Sequence, residues 1–310
     1  MTRLAGLREG LKHLLETALV RSRVPRALRP LVAGHGLVLA YHNIVPNGGR
    51  IAGDTSLHLP QQLFAWQLDY LVEHCRVVPL DQLLAAPGTR ASRPQVAVTF
   101  DDAYRGAVTA GLEELASRGL PATIFVAPAF VGGGTFWWDR LSESGAAGPA
   151  PAVRQHALDA CRGLDAEVAA WAAGAGVASQ GVEPHMRVAS EEELGAAVRR
   201  GGITLGSHSW SHPNLTRLGS PEDLERELTA PLSWLRDRYE TVRPWLAIPY
   251  GISSPEVERA AGKAGYSAAF RVSGGWLAVA RRDPLALPRL NVPSGLSRNG
   301  FALRCAGLLS

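Results

Sequence analysis

The chain reads VAVTFDDAY from Val96 to Tyr104, an apolar run that ends in two adjacent carboxylates, Asp101 and Asp102. Successive residues of a strand point to opposite faces of its sheet, so these two side chains are expected to point in different directions. One carboxylate could then bind a metal ion while the other handles a proton. The alternative is structural, because an Asp pair can also cap the helix that follows.

Similar apolar runs lie on both sides of this stretch and alternate with helix signals. Strands are predicted at residues 37–41, 96–100, 122–126, 203–206, 245–248, 266–271 and 287–292. A helix is predicted over residues 104–118, and further helices are predicted to begin at three serine caps, Ser190, Ser220 and Ser254. This alternation indicates an α/β protein with a mostly parallel sheet, and the Ala/Gly-rich stretch 141–189 is interpreted as a helical insertion.

Two histidines follow the predicted strand 203–206 in the segment His208-Ser209-Trp210-Ser211-His212. Imidazoles four residues apart can converge on one cation if the segment forms a helical turn. The location of this pair is more informative than its spacing. Both the His pair and the Asp pair follow strands, and β/α folds build their sites at the carboxyl ends of strands.

The charge of the chain is concentrated at its N-terminus. The net charge is +4, and residues 1–30 carry seven basic groups against Glu9 and Glu16, which leaves the remaining residues close to neutral. A nucleic-acid partner is therefore not expected, because no basic face follows residue 30. The three cysteines lack a C-x-x-C spacing and predict neither a disulfide framework nor a cysteine zinc site.

The basic N-terminus carries leucines at helical spacing, but it lacks the uninterrupted apolar run of a signal peptide or a spanning helix. We therefore predict a leader over residues 1–36 and a catalytic domain over residues 37–310. Two interpretations of the leader remain open. It lies on an anionic membrane surface, or it packs its leucine stripe (Leu4, Leu7, Leu11, Leu14 and Leu15) against the domain.

Three blocks, in their order along the chain, resemble the polysaccharide deacetylases, the NodB homology domain of carbohydrate esterase family 4. They are TFDDAY at residues 99–104, HSWSH at 208–212 and IPYG at 248–251. Smaller matches are Tyr41-His42, LPATIFV at residues 120–126 and LPRLNV at residues 287–292. The resemblance implies a distorted (β/α) barrel, usually of seven strands, that hydrolyses N-acetyl groups on amino sugars with a divalent metal.

The resemblance also implies roles for individual residues. Asp102, His208 and His212 would be the metal ligands, and Asp101 would be the general base. The backbone N–H of Tyr250 would hold the developing oxyanion. Zn²⁺ is the expected metal, with Co²⁺ or Ni²⁺ as alternatives, because two imidazoles and a carboxylate accept all three.

The sequence departs from the commonest family pattern at two places. No histidine follows His212, so the general acid is assigned to His42, as in the subset of the family with an N-terminal Tyr-His block. Ala247 stands where many relatives carry an arginine that orients the base, and Arg289 is preferred over Arg243 as its replacement; the alternative is that Arg289 is a surface residue. The other histidines are interpreted as surface or packing residues: His13, His35, His58, His74, His156 and His185.

An aromatic cluster, Phe136-Trp137-Trp138-Asp139, follows another predicted strand. Indole rings stack on sugar faces, so Trp137 and Trp138 are candidate substrate-binding residues. The alternative is that they fill the space between barrel and insertion.

The predicted activity is removal of acetyl groups from N-acetylhexosamine units of a bacterial polysaccharide or its lipid-linked precursor, which would place the enzyme in exopolysaccharide biosynthesis. The alternatives are hydrolysis of another small amide, such as a formamide or a ureide, and a catalytically silent glycan- or membrane-binding module. The expected location is the cytoplasm, with peripheral contact to the inner membrane through residues 1–30.

Overall fold

The computed structural model describes residues 14–20, 22, 35–85, 93–143, 146, 148–277 and 283–308. Its strands are β1 (Gly36–Tyr41), β2 (Asn43–Val45), β3 (His58–Pro60), β4 (Arg76–Val77), β5 (Gln95–Phe100), β6 (Ala122–Val126), β7 (Ile203–Ser207), β8 (Val242–Ala247), β9 (Ala268–Arg271), β10 (Leu287–Pro288) and β11 (Leu290–Asn291). Each of the seven predicted strands is present. The short strands β2, β3 and β4 were not predicted, because two or three residues are too few to show a period.

The main sheet is parallel and nearly closed. Its strands follow the order β10-β9-β8-β7-β6-β5-β1-β11, and β4 pairs with β5 outside this path. Leu287–Pro288 pairs with β9, whereas Leu290–Asn291 pairs with β1, so the segment 287–291 joins the two edges. The path holds eight strands where seven were expected, since this last segment is divided at Arg289 into β10 and β11. The distorted (β/α) barrel expected from the sequence is confirmed.

Helices surround the sheet. They are α1 (Gln61–His74), α2 (Leu80–Ala85), α3 (Leu112–Ala116), α4 (Trp137–Arg140), α5 (Pro151–Asp159), α6 (Asp165–Gly174), α7 (Glu191–Arg199), α8 (Pro221–Arg238), α9 (Pro255–Lys263) and α10 (Arg298–Cys305). The three predicted serine caps are correct, and each side chain accepts a backbone N–H in the first turn of its helix. The predicted helix 104–118 is interrupted, because Ala107–Gly111 forms a π-helical turn before α3. Helices α5 and α6 lie within the predicted insertion.

Alternate residues of the strands pack on two sides of the sheet. Leu37 and Leu39 of β1 join the large core between the sheet and the helices, whereas Val38 joins a smaller apolar cluster with Phe125 and Phe270. The guanidinium of Arg289 lies over the rings of Phe125 and Phe270. The positive charge of Arg289 therefore lies on the side of the smaller cluster, where the segment 287–291 closes the sheet.

Most of the predicted leader lies outside the described residues, including Leu4, Leu7, Leu11 and His13. Residues 14–20 are helical. Among the helices described, none is long and apolar enough to cross a bilayer. The three cysteines, Cys75, Cys161 and Cys305, are buried.

Candidate active site

The two adjacent carboxylates separate because the backbone turns sharply at the end of β5. Asp102 and Ala103 have φ values of 68° and 50°, in the left-handed region that costs free energy for residues other than glycine. Asp101 therefore points toward Arg289, and Asp102 points toward the histidines. The sequence analysis predicted that the two side chains point in different directions because of the pleat of a strand. The left-handed turn is what separates them.

The histidine segment is also not the helical turn that its spacing suggested. Ser209 and His212 have positive φ values of 60° and 55°. The loop is held by Glu227 of α8, whose carboxylate accepts the backbone N–H groups of Trp210 and Ser211 at 2.9 and 2.8 Å. Glu227 was missed by the sequence analysis, since a glutamate inside an amphipathic helix normally faces solvent.

Asp102, His208 and His212 converge and are buried. The Nε2 atoms of the two histidines lie 3.1 Å apart, and Asp102 Oδ1 lies 3.5 Å from His208 Nε2 and 3.3 Å from His212 Nε2. Donor atoms about 2.0–2.1 Å from one tetrahedral cation would be about 3.3 Å apart. Asp102 Oδ1 has no hydrogen-bond partner among the described residues, so these three residues fit a divalent metal.

The protonation of the three groups is consistent with this fit. His208 Nδ1 donates to the carbonyl oxygen of Ala247 at 2.8 Å, which leaves Nε2 with its lone pair. Burial lowers the pKa values of His208 and His212, so both rings are neutral. Burial and the charges of Asp101 and Asp139 raise the pKa of Asp102, which means that its charge lacks compensation until a cation binds.

Asp101 is oriented by Arg289. Two guanidinium nitrogens donate to its two carboxylate oxygens at 2.6 and 2.7 Å, and the arginine side chain is 0% exposed. Burial alone would raise the pKa of Asp101, but the charge and hydrogen bonds of Arg289, together with His208, hold it well below its usual value. Arg243, the rejected candidate, lies at the surface 3.6 Å from Asp81. Arg289 is thus not a surface arginine.

A cleft of about 290 Å³ opens above these residues, and His42 lines it. Burial lowers the pKa of His42 to about 4, and the attraction of the Asp101 carboxylate offsets only part of this effect. The ring is therefore neutral in the resting protein at neutral pH. Part of the cleft wall is an ion pair between Asp54 and Arg154 of α5, so the insertion contributes to the cleft.

Tyr250 lies at the edge of the same cleft with a left-handed φ of 58°. Its ring packs edge-on against His212, with 4.6 Å between the ring centroids. Five of the six non-glycine residues with positive φ in the described part of the chain belong to the three motifs of this site: Asp102, Ala103, Ser209, His212 and Tyr250. Strained backbone of this kind is concentrated at functional sites.

The two tryptophans differ in their access to the cleft. Trp137 is 1% exposed and donates its indole N–H to the Tyr250 hydroxyl at 3.1 Å, so it offers no ring face to a sugar. Trp138 lines the cleft, and its ring centroid lies 4.9 Å from that of His212. The geometry gives Trp137 the packing role that the sequence left open.

A buried polar network lies behind Trp138. The indole N–H of Trp138 donates to Tyr104, whose hydroxyl donates to Asp139 at 2.7 Å. The other oxygen of Asp139 accepts from the backbone N–H of Asp54 at 3.0 Å and lies 2.8 Å from Nε2 of His58.

The network continues beyond His58. Asn43 Nδ2 lies 3.0 Å from Nδ1 of both His58 and His185 and donates one hydrogen to each ring. His58 and His185 were predicted to be surface or packing residues. Both are buried and pack within this network, which no local spacing in the sequence reveals.

The chain can now be compared with known proteins. A family model described as polysaccharide deacetylase matches residues 88–269, which is more than half of the chain. The chain belongs to the polysaccharide deacetylase family. It is therefore a deacetylase, a hydrolase whose family removes acetyl groups from polysaccharides. No curated protein sequence matches it.

Solved structures show the same fold. A polysaccharide deacetylase, BC0361 from Bacillus cereus, matches with a TM-score of 0.61 and 17% identity over 87% of this chain and 69% of its own. IcaB from Ammonifex degensii matches with a TM-score of 0.59 and 19% identity over 89% and 98% of the two chains. The Streptococcus pyogenes deacetylase PplD, solved with acetate, matches with a TM-score of 0.59 and 15% identity over 87% and 98%.

Proposed function

We propose that this deacetylase is a metal-dependent hydrolase that removes N-acetyl groups from N-acetylhexosamine units of a bacterial polysaccharide or its lipid-linked precursor. One observation carries the proposal. A buried carboxylate, Asp101, is held ionised by Arg289 in the same cleft as a His-His-Asp donor set. This arrangement pairs a general base with a metal site, and together the two can activate water for the hydrolysis of an amide near neutral pH.

Asp102, His208 and His212 would hold the metal, with Zn²⁺ first and Co²⁺ or Ni²⁺ as alternatives. When bound, a divalent cation supplies Lewis-acid polarisation and lowers the pKa of water. Asp101 takes the proton of the attacking water, and Arg289 fixes the orientation of its carboxylate through a hydrogen bond to each oxygen. The backbone N–H of Tyr250 is the proposed donor to the developing oxyanion.

His42 is the proposed general acid that protonates the leaving amine. Its pKa of about 4 means that it does not hold this proton at rest. Negative charge developing on the substrate carbonyl favours the imidazolium form, so the ring takes a proton from solvent as the reaction proceeds and passes it to the leaving amine. Asp101 returns the proton of the attacking water to solvent when the product leaves. Trp138 is the remaining candidate for contact with a sugar ring, because it lines the cleft and Trp137 does not.

The test compares acetate release by the wild-type enzyme and by Asp101→Asn from N-acetylglucosamine oligomers, after removal of metal and after adding Zn²⁺, Co²⁺ or Ni²⁺ singly. We expect activity only with metal and a loss of roughly 10²–10⁴-fold in the variant. Formate or ammonia release from formamide or ureide substrates, without acetate release, would replace this function with the small-amide alternative. Absence of all three products would support a silent binding module.

The cellular location of the enzyme is also part of the proposal. The enzyme is proposed to act in the cytoplasm, with residues 1–30 contacting the inner membrane and no nucleic-acid partner. Deletion of residues 1–30 is expected to lower membrane partition while activity on soluble oligomers survives. Loss of folding in this variant would instead make the leader part of the core.

A further inference from the structure

The described part of the leader contacts the domain through its polar side. The Ser297 hydroxyl donates to the Glu16 carboxylate at 2.5 Å, and the Asn299 amide donates to the Thr17 hydroxyl at 2.9 Å. Glu16 is 4% exposed. Its carboxylate lies at the N-terminus of α10, where the helix dipole favours a negative charge. This arrangement is the reverse of a leucine stripe packed on the domain.

The leucines of the same turns face outward. Leu14, Leu15 and Leu19 are 70%, 57% and 39% exposed. At about 100° per residue, they lie within an arc of about 140° on the exposed side of the helix. We call these three residues the leucine face. Most exposed apolar residues of a soluble protein occur singly, so three on one face indicate a contact with something apolar.

The charges along the sequence of the leader suit an anionic partner. Glu16 is the only acidic residue in the sequence between Glu9 and Asp54, and it is turned into the domain. The same stretch of sequence contains Lys12, Arg21, Arg23, Arg26 and Arg29. Exposed leucines within a sequence rich in basic residues are complementary to an anionic lipid surface.

The leader also attaches on the side of the barrel where the cleft opens. The strand β11 ends at Asn291, which lines the cleft, and the chain leaves the carboxyl edge of the sheet there. Ser294 then donates from its backbone N–H to the carbonyl oxygen of the cleft residue Ser56 at 2.9 Å. Ser297, the N-cap of α10 and the partner of Glu16, follows three residues later.

We propose that the leucine face docks on an anionic bilayer beside the cleft, so that the enzyme acts on acetamido sugars carried on a membrane-anchored lipid. The identity of the reaction rests on the proposed function, but the docking does not. Because the leader is attached at the cleft side, docking would hold the cleft next to the membrane surface. A substrate anchored there gains effective concentration over the same sugar in solution.

The first experiment measures docking alone. Full-length protein is sedimented with vesicles of phosphatidylcholine, or of equal parts phosphatidylcholine and phosphatidylglycerol. We expect binding only to the anionic vesicles, weakened by salt, and a loss of roughly tenfold or more in the triple variant Leu14→Ser, Leu15→Ser, Leu19→Ser. The matched control is Val72→Ser, which changes an equally exposed apolar residue of α1 and should bind like the wild type.

Unchanged vesicle binding by the triple variant, or no binding by the wild type, would overturn the docking proposal. So would light scattering that shows a dimer becoming a monomer in the triple variant without a change in vesicle binding, because the leucine face would then belong to a second copy. Acetate release from soluble oligomers should be the same in all variants. Its absence in the wild type would overturn the proposed function and leave a positive docking result standing.

The second experiment tests the position of the cleft. Glu16→Ala removes the hydrogen bond to Ser297 at the N-terminus of α10, which weakens the attachment, but keeps the leucine face. We expect it to bind anionic vesicles and to deacetylate soluble oligomers like the wild type. It should lose several-fold of the wild-type rate on an N-acetylglucosaminyl lipid embedded in the same vesicles. An unchanged rate on the embedded lipid would refute the coupling between docking and the cleft.

Discussion

Asp101 and Asp102 are neighbours in the chain, yet their environments shift their pKa values in opposite directions. Arg289 and His208 outweigh burial at Asp101 and lower its pKa. At Asp102, burial and the charges of Asp101 and Asp139 raise the pKa. Two carboxylates whose pKa values are shifted in opposite directions suit two roles. One is a base that stays ionised, and the other is a ligand whose charge is neutralised by a cation.

Replacing the partner of the base should move the pH profile. In Arg289→Gln the pKa of Asp101 rises, because the opposite charge is lost while burial remains. The ionised base is then lost at a higher pH, so the acid limb of the kcat/KM profile shifts to higher pH and the plateau falls by roughly 10–10³-fold. The matched control is Arg243→Gln at the surface, which should keep the wild-type profile. An unshifted acid limb in Arg289→Gln would contradict the orienting role.

His42 is predicted to act in catalysis without holding the metal. His42→Gln should reduce kcat by roughly 10²–10⁴-fold while the bound metal, measured by elemental analysis, stays at the wild-type level. His156→Gln is the matched control, since His156 stacks on Trp171 in the insertion, outside the cleft. Loss of metal in His42→Gln would mean that His42 is a ligand and that the acid must be sought elsewhere.

At the scale of elements, the site depends on loops that follow strands and are fixed from behind by helices. The histidine loop after β7 is held by Glu227 of α8, which accepts two backbone N–H groups and the Ser211 hydroxyl at 2.6 Å. The short helix α4 carries Asp139, whose two carboxylate oxygens form hydrogen bonds with Tyr104 and His58. Neither carboxylate lies in the cleft, so both act by positioning.

Weakening the support of the histidine loop should weaken metal binding. Glu227→Gln keeps the size of the side chain and one acceptor oxygen for the two backbone N–H groups. It removes the negative charge behind them and places an amide NH2 where the carboxylate accepts the Ser211 hydroxyl. We expect a metal Kd increased by roughly 10–100-fold, measured by competition with a chelator, and kcat recovered at saturating metal. Glu225→Gln, on the exposed side of the same helix, is the control. A wild-type Kd in Glu227→Gln would show that the loop does not need this carboxylate.

The closed sheet explains how distant segments form one site. Arg289 and Asp101 are 188 residues apart in sequence, and they meet because the segment 287–291 pairs with β1 on one side and β9 on the other. Closure therefore brings Asp101, the proposed base, and Arg289 together at the carboxyl edge, beside the histidines that follow β7. The insertion adds a wall of the cleft through Arg154.

Asp102 should lower the stability of the whole molecule without metal, although it is needed for metal binding. Its folded-state pKa is raised, so the metal-free protein binds a proton more tightly than the unfolded chain, and stability is lost as pH rises through that pKa. At neutral pH, metal-free Asp102→Asn should therefore be more stable than the metal-free wild type by about 1–2 kcal/mol. Thermal unfolding in chelator measures this difference.

The same thermal unfolding measurement with added metal should reverse the order of stability of the two proteins. A ligand at a thousandfold excess over its Kd stabilises the native state by about 4 kcal/mol, so Zn²⁺ should raise the Tm of the wild type and not that of Asp102→Asn. Equal metal-induced shifts in both proteins would argue against Asp102 as a ligand.

The sequence by itself determined the alternating strands and helices, the serine caps, and the three ordered motifs that carry the resemblance, because all of these are local patterns of neighbouring residues. Only the tertiary structure decided what depends on distant contacts. It shows that Arg289 and not Arg243 pairs with Asp101, and that Trp137 is buried. It placed Glu227 behind the histidines and His58 beside Asp139, and it turned the leucines of residues 14–20 outward. Each of these depends on which segments the closed sheet brings together, and no period or spacing along the chain contains that information.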